Sequence, residues 1–143
     1  MTSTMAKMTL ELEEDYSYEV IGLVCSSKSH RLCWTLNRLL GIELKRERDL
    51  EIIGREKTAR FHSFFSFLDE NLLLKYRLVE NKRGGSLFLP EVDTADYLLI
   101  MDKIDELNPN ELIPKIRKSN IILLSFMIEL DSLKSKQNIL LAA

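Results

Sequence analysis

Acidic side chains interrupt two strongly apolar runs near the middle of the chain, at Glu91, Asp93 and Asp96. Paired carboxylates of this kind are the groups that hold ligands or exchange protons as general acids and bases. The alternative is a turn, because Pro90 ends a strand edge and carboxylates hydrogen-bond the backbone of turns. Tyr97 then begins the next strand with an apolar ring and a polar tip. We favour the turn and retain Pro90, Glu91, Asp96 and Tyr97 as candidate binding residues.

The residue types used in metal sites and covalent catalysis are few and badly spaced. His30 and His62 lie far apart, and neither has a cysteine or an acid at metal-ligand spacing. Cys25 and Cys33 fit no zinc or redox motif, and we interpret them as small buried residues of a reducing compartment. The five glycines form no phosphate-binding loop. The sequence therefore predicts no metal, no cofactor and no catalytic residue, and we expect that the protein is not an enzyme.

Trp34 is the only tryptophan and is predicted to face away from the apolar stripe of a helix, among Arg31 and Arg38. Two interpretations are open. Residues 42–53 could cover the indole ring, or the ring could be an exposed anchor flanked by arginines. Tryptophan and arginine are the residues that interface hot spots favour. Trp34 is therefore a further candidate binding residue.

The element that must position Trp34 is a helix that follows a strand. The stretch 18–25 is β-branched and apolar, which predicts a strand. Apolar residues at helical spacing then predict a helix over 27–40. Ser26 and Ser27 are candidate N-caps, and Gly41 lies where a left-handed C-cap is expected.

A meander of three antiparallel strands is predicted next, at 59–68, 72–79 and 86–89, after a short strand and a charged connection within 42–53. The alternation in 72–79 indicates one buried face and one wetter face. The glycine pair before the third strand is typical of hairpin turns.

A βαβ unit is predicted for the last part of the chain. Residues 97–104 have the composition of a strand. Asn108 as N-cap and Pro109 at the first helical position predict a helix over 109–118. The strand at 120–130 is apolar on both alternations, which predicts cover on both faces. Its crossover connection predicts that it runs parallel to the strand at 97–104.

The fold class predicted from this order is α+β, with a mixed, mostly antiparallel sheet and two helices packed on it. The order β-α-βββ-β-α-β would suit a ferredoxin-like variant with extra hairpin strands. A length of 143 residues suits a single domain, 1–143, with short flexible ends.

The net charge of −2, from 20 basic and 22 acidic residues, argues against a general nucleic-acid binder. The distribution is uneven, since residues 25–60 hold nine basic and five acidic side chains. The basic segment 45–60 could meet an acidic partner, or it could mark an RNA-associated accessory protein, which is our alternative function. No signal peptide and no apolar run long enough for a bilayer are visible, so we expect a cytoplasmic protein without a membrane partner.

Exposed apolar surface is the basis of the expected function. The strand at 121–128, the phenylalanines of 59–68 and Trp34 together need more cover than two helices supply. An apolar patch of that size usually marks an interface. We therefore expect protein–protein contact, with a two-fold homodimer as the simplest arrangement.

The sequence LPEVDTADY at 89–97 resembles the motif that names the bacterial IPExxxVDY family. Pro90, Glu91, Asp96 and Tyr97 match the motif, whereas Leu89 replaces Ile and Ala95 replaces Val. The stretches RLCWTLNRLLGI at 31–42 and LKSKQN at 133–138 are similar to the family as well.

The resemblance covers nearly the whole chain but implies no activity, because no catalytic residues are assigned to that family. Genes of the family stand near that of acyl carrier protein. The resemblance thus implies an acidic carrier protein as a candidate partner.

Overall fold

The computed structural model describes residues 18–53 and 58–143, and ten strands lie within them. In chain order the strands are β1 (Tyr18–Cys25), β2 (Lys45–Arg46), β3 (Leu50–Ile53), β4 (Ala59–His62), β5 (Phe64–Asp69), β6 (Leu74–Glu80), β7 (Lys82–Arg83), β8 (Ser86–Leu87), β9 (Tyr97–Asp102) and β10 (Ile122–Ile128). Six of them form one sheet in the order β10–β1–β9–β6–β5–β2. The pairs β3–β4 and β7–β8 are separate two-stranded hairpins.

The described helices are short. They are α1 (Ser29–Leu40), α2 (Leu112–Ile116) and three 3₁₀ segments at Pro109–Glu111, Leu130–Ser132 and Lys136–Ala142. None of the helices in the described part of the chain has the length and hydropathy needed to cross a bilayer.

The α+β prediction with a mostly antiparallel sheet is confirmed. Every neighbouring pair in the six-stranded sheet is antiparallel. Strands β9 and β10 do run parallel to each other, but β1 lies between them and is antiparallel to both. The helical connection therefore skips one strand, which is the split βαβ arrangement of ferredoxin-like folds.

The helix ends predicted for α1 are correct at the C-terminus and wrong at the N-terminus. Gly41 takes the left-handed conformation predicted for it, with φ of 66°, and ends the helix. The predicted serine caps at Ser26 and Ser27 are wrong, because the helix begins at Ser29 and its N-cap is Lys28, without a side-chain bond. The second helix also differs from its prediction over 109–118, since it opens as a 3₁₀ turn capped by the Asn108 side chain.

One face of the sheet, called here the helix face, is covered by both helices. Leu32 and Leu36 of α1 and Leu112 and Ile116 of α2 belong to one buried core. The strands supply its other side, with Ile21, Leu23, Tyr76, Leu78, Leu99 and Met101 among the buried residues. Burial of this apolar stripe holds α1 on the sheet, as expected for an amphipathic helix.

The opposite face, called here the loop face, is covered by irregular chain. Residues 88–95, Leu50 of β3 and the C-terminal 3₁₀ helix pack against Val20, Val79 and Ile100. The wetter face predicted for 72–79 is present at Leu73 and Lys75 but is wrong at Arg77 and Val79, which are buried. Covering both faces is what the apolar central strands require.

The C-terminal end, which we predicted to be loosely held, contacts the loop-face core. Ile139 and Ala142 of the 3₁₀ helix are buried in the loop-face core. They fix this segment against the sheet through apolar contact. The predicted flexible N-terminal end lies outside the described residues.

The predicted three-stranded meander is correct only for its first two strands. The first strand is divided at Ser63, so that β4 pairs with β3 while β5 pairs with β6. The third, 86–89, is wrong as a meander strand, because only Ser86–Leu87 is extended and it pairs with Lys82–Arg83. Gly84 and Gly85 both have positive φ in the connecting turn, as hairpin chemistry requires.

Strand β10 is a strand as predicted, and both of its faces are covered in part, with Met127 against the helix-face core and Phe126 against the loop-face core. It lies at the edge of the sheet, where Leu123 is 75% exposed and Leu124 is 53% exposed. An edge strand has a neighbour on one side only, and sequence periodicity carries no information on strand order.

The C-terminal 3₁₀ helix offers a matched pair of neighbours for a stability test. Ile139 is 1% exposed and Leu140 is 41% exposed. We expect Ile139→Ala to lower the free energy of unfolding by about 2–4 kcal/mol, because it leaves a cavity in the loop-face core. Leu140→Ala should change it by less than about 0.5 kcal/mol. Urea denaturation measures both, and equal effects would show that this helix does not stabilise the sheet.

Candidate interaction surface

The segment 88–95 is held in place by the side chain of Asn81, which follows β6 and is fully buried. Its Nδ2 donates to the carbonyl oxygens of Val92 and Ala95, both at 2.8 Å. Its Oδ1 accepts from the backbone N–H of Leu89, also at 2.8 Å. One side chain thus satisfies three backbone groups of a buried segment without regular structure.

Asp96 connects the end of this segment to β1. Its Oδ2 accepts from the backbone N–H of Cys25 at 2.8 Å, and its own N–H donates to the carbonyl of Leu23 at 2.8 Å. The ammonium of Lys82 lies 3.8 Å from the other carboxylate oxygen. These bonds continue the β1–β9 ladder beyond its last residue pair.

Glu91 bonds to the C-terminal part of the chain. Its carboxylate accepts from Ser135 Oγ at 2.5 Å and from the Ser135 backbone N–H at 3.3 Å. Nearby, Asn138 Nδ2 donates to the carbonyl of Phe88 at 2.7 Å. Pro90 is exposed beside this contact. These bonds join residues 88–91 to the start of the C-terminal 3₁₀ helix.

Tyr97 lies on the helix face, unlike the residues that precede it. Its hydroxyl donates to the carbonyl of Ser27 at 2.7 Å, just before α1. Burial, followed by the nearby charge of Glu80, raises the pKa of Tyr97 well above its usual value. The phenol therefore remains neutral and able to donate.

The two carboxylates of the motif are thus bonded to different elements, Glu91 to Ser135 and Asp96 to Cys25. These contacts support the turn interpretation. The sequence did not indicate Asn81, Ser135 or Asn138 as anchors, because their partners are distant in the chain. The similarity of 133–138 to the IPExxxVDY family was the only signal at that position, and it carried no role.

Removing the Asn81 side chain tests whether it holds the segment 88–95 in place. Asn81→Ala leaves the Leu89 N–H and two carbonyls buried without partners, at about 1–3 kcal/mol per group. We expect a loss of at least about 3 kcal/mol in the free energy of unfolding, measured in urea. The control is Asn71→Ala in the exposed β5–β6 turn. A loss no larger than that of the control would contradict the role given to Asn81.

His62 is buried and bonded rather than free to ligate. Its Nδ1 lies 2.8 Å from the carbonyl of Glu80 and its Nε2 lies 3.0 Å from Ser86 Oγ. Burial lowers the pKa of His62, and the hydrogen bond to Glu80 opposes this effect in part. His30 is exposed at the start of α1. Within 18–53 and 58–143, no group of three His, Cys, Asp or Glu residues is placed to hold a metal ion.

The lowered pKa of His62 predicts a pH dependence of stability. As pH falls below about 6.5, the unfolded chain takes up a proton on this imidazole before the folded protein does. The folded state therefore loses stability from about pH 6.5 downwards, until the pH passes the lower folded pKa. Urea denaturation at several pH values should show a flatter profile for His62→Gln than for the wild type. Parallel profiles would contradict the prediction.

Both cysteines are buried and unpaired. The Cys33 thiol donates to the carbonyl of Leu44 at 3.4 Å, and burial raises its pKa. A thiol held protonated is a poor nucleophile. The role of Cys33 is therefore to pack α1 against the chain that follows it.

Trp34 is 62% exposed, so residues 42–53 leave most of the indole ring uncovered. The guanidinium of Arg38 lies 4.8 Å from the centre of the indole ring. Residues 28–41 contain three basic side chains and no acidic one. We call this area the Trp34 surface; it comprises Lys28, His30, Arg31, Trp34 and Arg38.

A pocket of about 440 Å³ lies at one end of the Trp34 surface. Its lining residues are Ser26, Ser27, Lys28, His30 and Arg31. The pocket extends the basic surface towards the start of α1. The Trp34 surface therefore combines an aromatic anchor with exposed positive charge.

The basic segment 45–60 is less basic where the structure describes it. There it holds four basic and three acidic residues, while Arg55 and Lys57 lie outside the described residues. Arg46 is bonded to Asp49 and stacks over Phe65. Of the four described basic residues, Arg46 is therefore already paired within the chain.

The predicted binding residues do not form one site. Trp34 lies on the outer side of α1, above the helix face of the sheet. Pro90 and Glu91 belong to the segment that covers the loop face, with Leu89 and Val92 in its core. Of the predicted binding residues, Trp34 is the one with a large apolar side chain that is mostly exposed.

A scan against protein-family models matches no family. A search of curated proteins finds no significant relative. Membership of the IPExxxVDY family therefore stays a prediction from the sequence.

Proposed function

We propose that this protein is a non-enzymatic cytoplasmic domain that binds an acidic protein through the Trp34 surface. The observation that carries the proposal is the exposed indole ring of Trp34, stacked with Arg38, on a helix whose outer side has no acidic residue. The two free, buried thiols suit a reducing compartment.

The physical basis is the cost of leaving an indole in water. Burial of a tryptophan side chain at an interface is among the largest single contributions to binding. The stacked guanidinium of Arg38 holds the ring in one orientation, so less conformational freedom is lost on binding. Lys28 and Arg31 add positive potential, which accelerates association with a negatively charged partner.

A binding role also agrees with the hydrogen bonding and burial of the side chains that could take part in catalysis. His62 is hydrogen-bonded on both ring nitrogens, and the Cys33 thiol is buried. Glu91 and Asp96 are engaged in structural bonds. General acid–base and nucleophilic catalysis need such groups free to meet a substrate.

An acidic protein fits this surface better than RNA does. Surfaces for single-stranded RNA usually combine a basic groove with several aromatic rings for base stacking, whereas Trp34 is the one large aromatic residue of its surface. The net charge of the whole chain is −2. An acidic carrier protein, which the sequence resemblance implies, would be a partner of this kind.

Trp34→Ala should weaken partner binding without affecting folding, since the ring is mostly exposed. In pull-downs, the wild type and Leu73→Ala should both capture an acidic protein. Trp34→Ala should fail to retain it. Leu73 is a suitable control because it is 77% exposed in the β5–β6 turn. With the purified partner, the loss should be about 2 kcal/mol, or roughly 30-fold in Kd. Isothermal titration calorimetry measures that difference.

Intrinsic fluorescence gives an independent readout, because Trp34 is the only tryptophan. The partner should protect the ring from quenching by acrylamide. Unchanged quenching on binding, or equal capture by Trp34→Ala, would refute the proposal. A steeply salt-dependent affinity for RNA, without an acidic protein partner, would favour the RNA-associated alternative instead.

A further inference from the structure

The two edges of the six-stranded sheet differ strongly. At one edge lies β2, which has only two residues, Lys45 and Arg46, both exposed. Short, charged edge strands are a common means of preventing association between sheets. At the other edge lies β10, with seven residues and no charged side chain between 121 and 128. Only one edge is therefore protected against pairing.

The outer side of β10 is open in the described part of the chain. Its one neighbour there is β1, and the exposed side chains of Leu123 and Leu124 mark the uncovered edge. The register against β1 shifts at Leu123, so the regular part of the strand is 124–128. An edge strand of this length and composition presents backbone N–H and C=O groups ready to pair with another strand.

The loop face beside this edge keeps the pairing groups accessible. Phe126 lies opposite Gly22 of β1, and a Cβ on Gly22 would be 2.8 Å from the Phe126 ring. The ring therefore packs over β1, where glycine leaves room for it, rather than across the outer edge.

We propose that β10 pairs antiparallel with β10 of a second copy of this chain, across a two-fold axis. The two six-stranded sheets then form one continuous sheet, and Leu124 becomes covered by the partner copy. This interface goes beyond the proposed function, because it uses the sheet edge and not the Trp34 surface.

Charge at the two ends of β10 identifies the occupant as a second copy. Lys118 and Arg117 lie four and five residues before the strand, in the turn after α2, and Glu129 and Asp131 lie one and three residues after it, all four exposed. In the described residues, none of the four takes part in an ion pair. An antiparallel two-fold pair brings the basic end of each strand to the acidic end of its partner. A parallel pair would oppose like charges, so the charges also select the orientation.

Sedimentation equilibrium over about 1–300 μM tests the proposal, since edge pairing of this size is expected to give a Kd near the micromolar range. We expect a monomer–dimer equilibrium for the wild type. Leu124→Lys should weaken it by at least about tenfold, because it places a charge against the partner strand. Leu73→Lys, an exposed leucine elsewhere, should leave it unchanged.

Charge reversal tests the two-fold geometry directly. Lys118→Glu and Glu129→Lys alone should each weaken the dimer by roughly three- to tenfold, and the double variant should restore it. Rescue is expected only if Lys118 of one copy lies near the partner's Glu129. Hydrogen exchange locates the dimer interface, since the protection of backbone amides in 122–128 should rise with protein concentration.

Trp34→Ala separates this proposal from the proposed function. It should remain a dimer while losing the acidic partner, and Leu124→Lys should bind that partner as a monomer. A wild-type protein that stays monomeric over the whole range would overturn the β10 interface. A dimer that survives Leu124→Lys, or charge reversals without rescue, would overturn it as well.

Discussion

The hydrogen bonds of the buried Asn81 side chain are the interaction on which the loop-face core depends. The central strands are apolar on both sides, so folding requires cover for two faces. Two short helices cover one of them. The other is covered by residues 88–95, whose backbone forms neither helix nor strand and would be costly to bury unsatisfied. Asn81 supplies three of those partners, and Leu89 and Val92 can then enter the core.

The same constraint explains why the acidic motif, for which the sequence left a turn and a ligand site open, is structural in the fold. Residues 88–95 must be joined to the elements on either side of them. Glu91 joins them to the C-terminal 3₁₀ helix, and Asp96 joins them to the end of β1. Each carboxylate accepts backbone N–H bonds, the role that suits a charged group beside a partly buried turn. A cluster of acids between apolar runs thus reflects the need to anchor irregular chain on a sheet.

We propose two features of the described residues for contact with other molecules: the Trp34 surface and the edge of β10. They lie on different elements, so one need not block the other. If β10 forms the two-fold dimer, each dimer presents two copies of the Trp34 surface. A partner with repeated acidic sites would then bind with a gain in effective concentration, without any new contact.

The sequence by itself determined the local elements. Apolar periodicity predicted β1, α1, β6, β9 and β10, and glycine chemistry predicted the end of α1 and the β7–β8 turn, because these depend on neighbouring residues and backbone conformation. Only the tertiary structure decided strand order, and with it the position of β10 at an edge and the burial of Val79 and Ile139. It also decided the exposure of Trp34 and the partners of Glu91 and Asp96. These properties depend on contacts between residues far apart in the chain, such as Glu91 with Ser135, and no local pattern of one sequence encodes such pairs.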